Sequence, residues 1–187
     1  MAEQNQPQGA QPGQDGAEQQ PTQSREEAQA QLDAQFEELL AGKKTLAEIA
    51  GVTAEQVYAV ASLAHRLLRE GQHEQALTMF EGLIALNPRD PNLWVWKGST
   101  LHRMGPDRVE DAIKAYTRAL ELDPKHVTAL ANRGELNVVA GRYEEGLKDL
   151  KAAVENDPKG EDPTTVRARA ILATVLQKFK ERQAQKS

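Results

Sequence analysis

Cysteine is absent from the 187 residues, which excludes disulfides, thiolate metal ligands and a cysteine nucleophile. Aromatic residues make up only 4% of the chain, so a core must be filled by Leu, Ala and Val around a few large anchors. No stretch approaches the roughly 18 apolar residues of a bilayer span, and no basic segment followed by an apolar run opens the chain. Membrane insertion is not expected, and a cytoplasmic location is the default reading. Motifs that carry chemistry are missing as well. His65, His73, His102 and His126 show no HExxH spacing, and no GxSxG, phosphate-cradling glycine loop or dinucleotide fingerprint occurs. The expectation is therefore no catalytic residue, no metal, no cofactor and no enzyme. A net charge of −5 argues against general nucleic-acid binding. The charge is uneven: from Val166 onward six basic residues face one acidic, leaving +5 there and −10 elsewhere.

What the chain does contain is repetition. Pro88, Pro124 and Pro158 lie 36 and 34 residues apart. Twelve positions before each proline stands a small residue (Ala76, Ala112, Gly146), and four positions later a larger apolar one (Phe80, Tyr116, Leu150). Leu83, Ala119 and Ala153 follow. An earlier helix of each unit carries Val60, Trp94 and Leu130, then Ala64, Gly98 and Gly134, and ends at Gly71, Gly105 and Gly141. Small residues let neighbouring helices approach while large ones fill the space between them. Glycine ends a helix cheaply in the left-handed conformation. Each unit thus reads as a helix pair that buries its face on its neighbours.

Taken in order, residues 1–24 hold eight glutamines with scattered glycine and proline, a composition expected to be disordered. Residues 25–52 form an N-terminal helical extension in which Leu32, Phe36, Leu39 and Leu40 share one face. Thr45 with Glu48, and Thr53 with Gln56, are capping boxes. Residues 53–160 carry the three repeats. Asp90 caps one helix with Pro91 at its first position, Asp107 with Glu110 starts another, and Asp123-Pro124 starts the next. Residues 161–187 make a closing helix with an apolar stripe of Ala168, Ile171, Leu172, Val175 and Phe179. Trp94 is expected in the core, with Trp96, about 200° around the helix, as the anchor on a binding face.

The repeated pattern resembles the tetratricopeptide repeat. The resemblance implies an all-α solenoid of three helix pairs with an N-terminal helical extension and a C-terminal capping helix. It also implies a concave face lined by the first helix of each pair; elsewhere on those helices Lys97, Arg133 and Asn137 stand where the repeat usually prefers apolar residues for packing. The implied peptide-binding groove comprises Tyr58, Ala61, His65 and Leu68 in repeat 1. Repeat 2 adds Asn92, Val95, Trp96, Ser99 and His102, and repeat 3 adds Thr128, Ala131, Glu135 and Val138. The carboxylate-clamp subclass needs lysines, asparagines and an arginine where this chain has Ala61, His65, Trp96, Thr128 and Asn132, so a clamp is not expected.

Leu46 to Glu55, Gly71 to Ala76, Met79-Phe80-Glu81-Gly82-Leu83, Leu93-Trp94 with Gly98, Gly134-Glu135-Leu136 and Arg169-Ala170-Ile171-Leu172 together look like the class II chaperones of bacterial type III secretion. Those proteins hold hydrophobic translocators by an extended segment. Ala61, His65 and Leu68 replace tyrosines usual in that family, implying a wider, less aromatic groove. The expected function is a bacterial peptide-binding chaperone or adaptor, its partner a client protein held without ATP. The competing reading is a generic scaffold for protein assembly. A homodimer through residues 25–50 competes with capping of repeat 1 by that segment.

Overall fold

The structure is a computed structural model that describes residues 20–184. The disorder expected over residues 1–24 lies largely outside the described residues. Its last five, Gln20–Ser24, are helical and open α1, Gln20–Leu40. The reason is local: Pro21 sits in the first turn, where its fixed φ suits a helix and its missing amide has no partner to lose. The chain divides into two compact units, residues 1–44 and 45–187.

In the first unit, α1 ends at Gly42, whose φ of 65° lets the amide of Lys43 reach back 2.8 Å to the Glu38 carbonyl. Lys44 pairs with the Glu38 carboxylate at 2.8 Å. Leu32, Phe36 and Leu40 are 56%, 56% and 67% exposed.

The second unit begins with the short helix α2, Leu46–Ile49, which the sequence grouped with the N-terminal extension. Its capping box is formed: the Glu48 amide donates to Thr45 Oγ1 at 3.2 Å, and the Thr45 amide donates to Glu48 Oε2 at 2.6 Å. Arg89 donates to the same Glu48 oxygen at 2.7 Å, tying α2 to the turn around residues 87–90. The helix pairs are α3 (Ala54–Arg69) with α4 (His73–Leu86), α5 (Pro91–Arg103) with α6 (Val109–Leu122), and α7 (Val127–Val139) with α8 (Tyr143–Asn156). The closing helix α9, Pro163–Ala184, packs on both α7 and α8.

Two helix starts differ from expectation. Asp107 lies inside a 3₁₀ turn, Pro106–Arg108, and α6 begins after it with no side-chain cap, because Pro106 initiates the turn first. Asp123-Pro124 forms a turn in which Asp123 accepts from the Lys125 amide, and His126 caps α7 instead, its Nδ1 accepting from the Ala129 amide.

The core has two parts. One centres on Phe80 with Val57, Ala61, Ala64 and Leu93; the other on Tyr116, Leu136 and Leu150. Trp94 does not occupy the deepest position, which Leu93 fills. Trp94 is half-buried against both parts, with its indole N–H donating to the Pro88 carbonyl at 2.9 Å. Val60, its counterpart in repeat 1, is 43% exposed because α3 is the first helix of the stack and has a neighbouring pair on one side only. The small residues work by proximity: a Cβ on Gly134 would sit 2.9 Å from the Gly146 carbonyl oxygen, and one on Gly98 would strike the Tyr116 ring at 2.7 Å.

The three polar substitutions within the first helices each have a partner. Arg133 donates to both Asp149 oxygens at 2.7 and 2.9 Å and to Thr117 Oγ1 at 3.1 Å, joining α7 to α8 and α6. Lys97 pairs with Glu81 at 2.8 Å, and Asn137 accepts from Arg142 at 2.8 Å.

Candidate functional site

The first helices α3, α5 and α7 bring residues 34 positions apart into register. Tyr58 donates its hydroxyl proton to Asp90 Oδ2 at 2.7 Å, while the Asn92 amide group donates to the Tyr58 oxygen at 3.4 Å. On its other side, Asn92 Oδ1 lies 3.2 Å from His126 Nε2. Since His126 Nδ1 accepts from the Ala129 amide, this second contact requires the tautomer protonated at Nε2, which donates to Asn92. A polar line thus runs Asp90–Tyr58–Asn92–His126 across three repeats. Thr128 extends the pattern by donating to Asp162 at 2.8 Å, where α9 begins. Burial, reinforced by the Asp90 carboxylate, raises the Tyr58 phenol above its usual pKa.

Beside this line is an aromatic group. Trp96 meets Tyr58 edge-on at 5.6 Å between centroids and His65 edge-on at 4.9 Å, and rests against buried Phe80 at 5.9 Å. His65 also meets Phe80 at 5.2 Å. Burial first, then the positive charges of Arg69 and Arg103, lowers the His65 pKa. Its neutral imidazole therefore presents a flat, weakly polar surface at neutral pH.

The thirteen residues expected to line a groove divide by burial. Ala61, Leu68, Val95 and Ala131 are 1%, 7%, 3% and 2% exposed and belong to the core, because the second helices α4, α6 and α8 pack against the first and share the core with these side chains. His65, Asn92, Trp96, Ser99, His102, Thr128, Glu135 and Val138 are half-buried, and Tyr58 is exposed. Ser99 shares a 3.1 Å hydrogen bond with Tyr116, and Glu135 pairs with Arg167 at 2.8 Å. Four participants were missed from sequence: Asp90, His126, Asn132 and Arg167. Arg167 donates to Asn132 and joins α9 to the same face. The 34-residue separations of Tyr58, Asn92 and His126 were a signal that could have found the second of them. Among the described residues no group of three or more His, Asp or Glu could hold a metal ion, and no helix is long and apolar enough to cross a membrane.

A family model for the bacterial transcriptional activator domain matches residues 2–123, and one for the tetratricopeptide repeat matches residues 104–172. Among solved structures, the chain is similar to a type III secretion complex from Aeromonas hydrophila, with a TM-score of 0.69 and 18% identity over 79% of this chain and 98% of that one. It is also similar to the Yersinia enterocolitica type III secretion chaperone SycD in complex with a peptide of the translocator YopD. There the TM-score is 0.61 at 20% identity, covering 68% of this chain and 98% of that one. Among curated proteins, the peroxisomal targeting signal receptor of Candida glabrata is 32% identical over 91 residues. That match covers 48% of this chain but only 15% of the receptor, so the chain spans a small part of that relative's length. With the first family model matching more than half of its residues, the chain belongs to the bacterial transcriptional activator domain family, and its helix pairs make it an all-α tetratricopeptide repeat protein.

Proposed function

We propose that the face lined by α3, α5 and α7 is a concave groove that holds an extended segment of a client protein. On this reading the protein is a cytoplasmic bacterial chaperone or adaptor similar to the translocator chaperones of type III secretion. The observation that carries the reading is the cluster of Trp96, Tyr58 and His65 beside the Asp90–Tyr58–Asn92–His126 line. It offers a flat apolar platform next to fixed polar groups, which suits an extended peptide with a few apolar anchors. The likeness to a chaperone solved with a translocator peptide supports the same use of the fold. Ala61, Leu68, Val95 and Ala131 would shape this groove from beneath, leaving the half-buried residues and Tyr58 to touch the client.

No ATP-dependent step is needed. Binding apolar client segments keeps them from associating with one another, and release follows from competition. A clamp for acidic C-termini is disfavoured because Asn132, the one matching side chain, is buried and accepts from Arg167. We further propose a homodimer through residues 25–50, on the strength of the exposed Leu32, Phe36 and Leu40 of α1.

The test is affinity capture from the native cells with the wild-type chain and with Trp96→Ala and Tyr58→Ala, followed by peptide scanning of the recovered protein. One dominant protein with long apolar segments is expected. Trp96→Ala should weaken its best peptide about 30-fold, as removal of a central aromatic anchor does. Tyr58→Ala, which leaves Phe80 covered, guards against loss of fold. A set of folded partners whose capture is unchanged by both substitutions would instead establish a general assembly scaffold. The similarity to relatives as unlike as a peroxisomal receptor favours that second reading.

A further inference from the structure

A cleft of about 410 Å³ opens where α9 runs on past α7 and α8. Tyr143, Ile171, Val175 and Phe179 contribute its apolar lining, with Tyr143 and Phe179 edge-on at 5.9 Å and still 45% and 39% exposed. Its polar rim is cationic. Arg167, Lys178 and Arg182 project along the same side of α9 as Ile171 and Val175, by 100° per residue. Arg167 also pairs with Glu135, whereas Lys178 and Arg182 lie toward the overhanging end of the helix.

The first unit of the chain has the complementary chemistry. Residues 25–40 hold five acidic side chains and one basic. Leu32, Phe36, Leu39 and Leu40 form a stripe, and Glu26, Asp33 and Glu37 fall within about 40° of one another along one edge of it. Glu26 and Glu37 are eleven residues apart, about 16 Å along the helix, as are Arg167 and Lys178, and Arg182 continues the basic row by one further turn. Large exposed apolar side chains rimmed by charge of one sign mark a surface made for a partner of the other sign.

We propose that the α9 cleft receives α1 of a second copy of this chain, Leu32 and Phe36 packing on the exposed surfaces of Tyr143 and Phe179 while Asp33 and Glu37 face Lys178 and Arg182. Reciprocal insertion closes a two-fold dimer, since each copy supplies one helix and one cleft. This inference rests on the reading of α1 as a dimerisation helix and adds its receiving surface.

The experiment is sedimentation equilibrium of the full chain at low and at physiological salt. The wild type should be a dimer that weakens with salt. Lys178→Glu with Arg182→Glu, and separately Asp33→Lys with Glu37→Lys, should each raise the dimer dissociation constant about tenfold. Combining all four should restore it to within about threefold. All four positions are on exposed or partly exposed helix surface, so circular dichroism should be unchanged. As a check that needs no substitution, a synthetic peptide of residues 25–41 added to the wild-type protein should convert dimer to monomer, and the same peptide with Leu32→Glu and Phe36→Glu should not. A dimer that ignores the cleft substitutions would overturn this inference while leaving a dimerising α1 in place. A monomeric wild type would overturn both, and neither result bears on the client groove.

Discussion

Arg133 shows how one residue out of pattern can be explained only by another. Its guanidinium makes two hydrogen bonds to Asp149, which is almost buried, and a third to Thr117. Removing either charge leaves the other without a partner in a poorly solvated place. Arg133→Met or Asp149→Leu alone should therefore cost about 3 kcal/mol in chemical denaturation. The double substitution should recover most of that loss, because an apolar pair of similar volume carries no desolvation penalty. Additive single losses in the double mutant would show that the pair is not acting as a unit. Lys97 and Asn137 follow the same logic more weakly, with Glu81 on α4 and Arg142, just before α8, as partners. From the sequence, all three looked like defects in the repeat. Their partners lie 16 or fewer positions away but outside the helix that carries them, so no helical periodicity reveals them.

Among elements, the turn between α8 and α9 carries a distinct electrostatic signature. Asp157 accepts from the backbone amides of Asp162, Gly160 and Glu161 at 2.9 to 3.0 Å. These donors, the Asp162 amide foremost, hold its carboxyl down at about 2, against an ordinary 3.8. The folded pKa is the lower one, so the stabilisation is present above the unfolded value and is lost as the pH falls from about 4 toward about 2. The melting temperature of the wild type should fall through that window. Asp157→Asn should melt lower at neutral pH and show a shallower fall between pH 4 and 2, measured by circular dichroism. Equal slopes for the two proteins would remove Asp157 from the account. The same turn sets the start of α9, since Asp162 accepts from the Thr164 amide and from Thr128 on α7. A loop that the sequence marked only by Gly160 and Asp162-Pro163 thus positions the closing helix.

For the whole molecule, stability passes from pair to pair, and the last pair depends on its cover. Ala168 and Val175 of α9 are buried, and Ile171 and Leu172 pack against the core around Tyr116 and Leu150. A chain ending at residue 161 would uncover that surface, a loss on the order of 5 kcal/mol at 1 to 2 kcal/mol per large apolar side chain. That is comparable to the entire stability of an ordinary domain. Truncation should lower the melting temperature by more than 10 °C, on the scale of such a loss, and promote aggregation detectable by light scattering. An unchanged melting curve would mean that α9 is an appendage. The N-terminal unit carries the opposite design, since Leu32, Phe36 and Leu40 remain exposed and available to a partner.

By itself the sequence determined the helix pairs, their count and the small-and-large alternation between them, because these depend on spacings within about forty residues of one chain. Capping boxes at Thr45 and Thr53, and the left-handed glycines Gly71 and Gly141 with φ of 78° and 80°, are local in the same sense. Tertiary structure alone decided which residues on the first helices remain accessible. Ala61, Leu68, Val95 and Ala131 were expected on the same inner face as Tyr58, Asn92 and Thr128, three to ten residues along the same first helices, yet they are buried while the others are not. The difference lies in how the second helix of each pair packs on the first: Ala61 and Leu68 join the core around Phe80, and Val95 and Ala131 the core around Tyr116 and Leu150, with Gly98 against Tyr116 and Gly134 against Gly146 permitting the close approach. Pairing across repeats, as between Tyr58, Asn92 and His126, or Asn132 and Arg167, likewise exists only once superhelical packing brings residues about 34 positions apart within hydrogen-bonding distance.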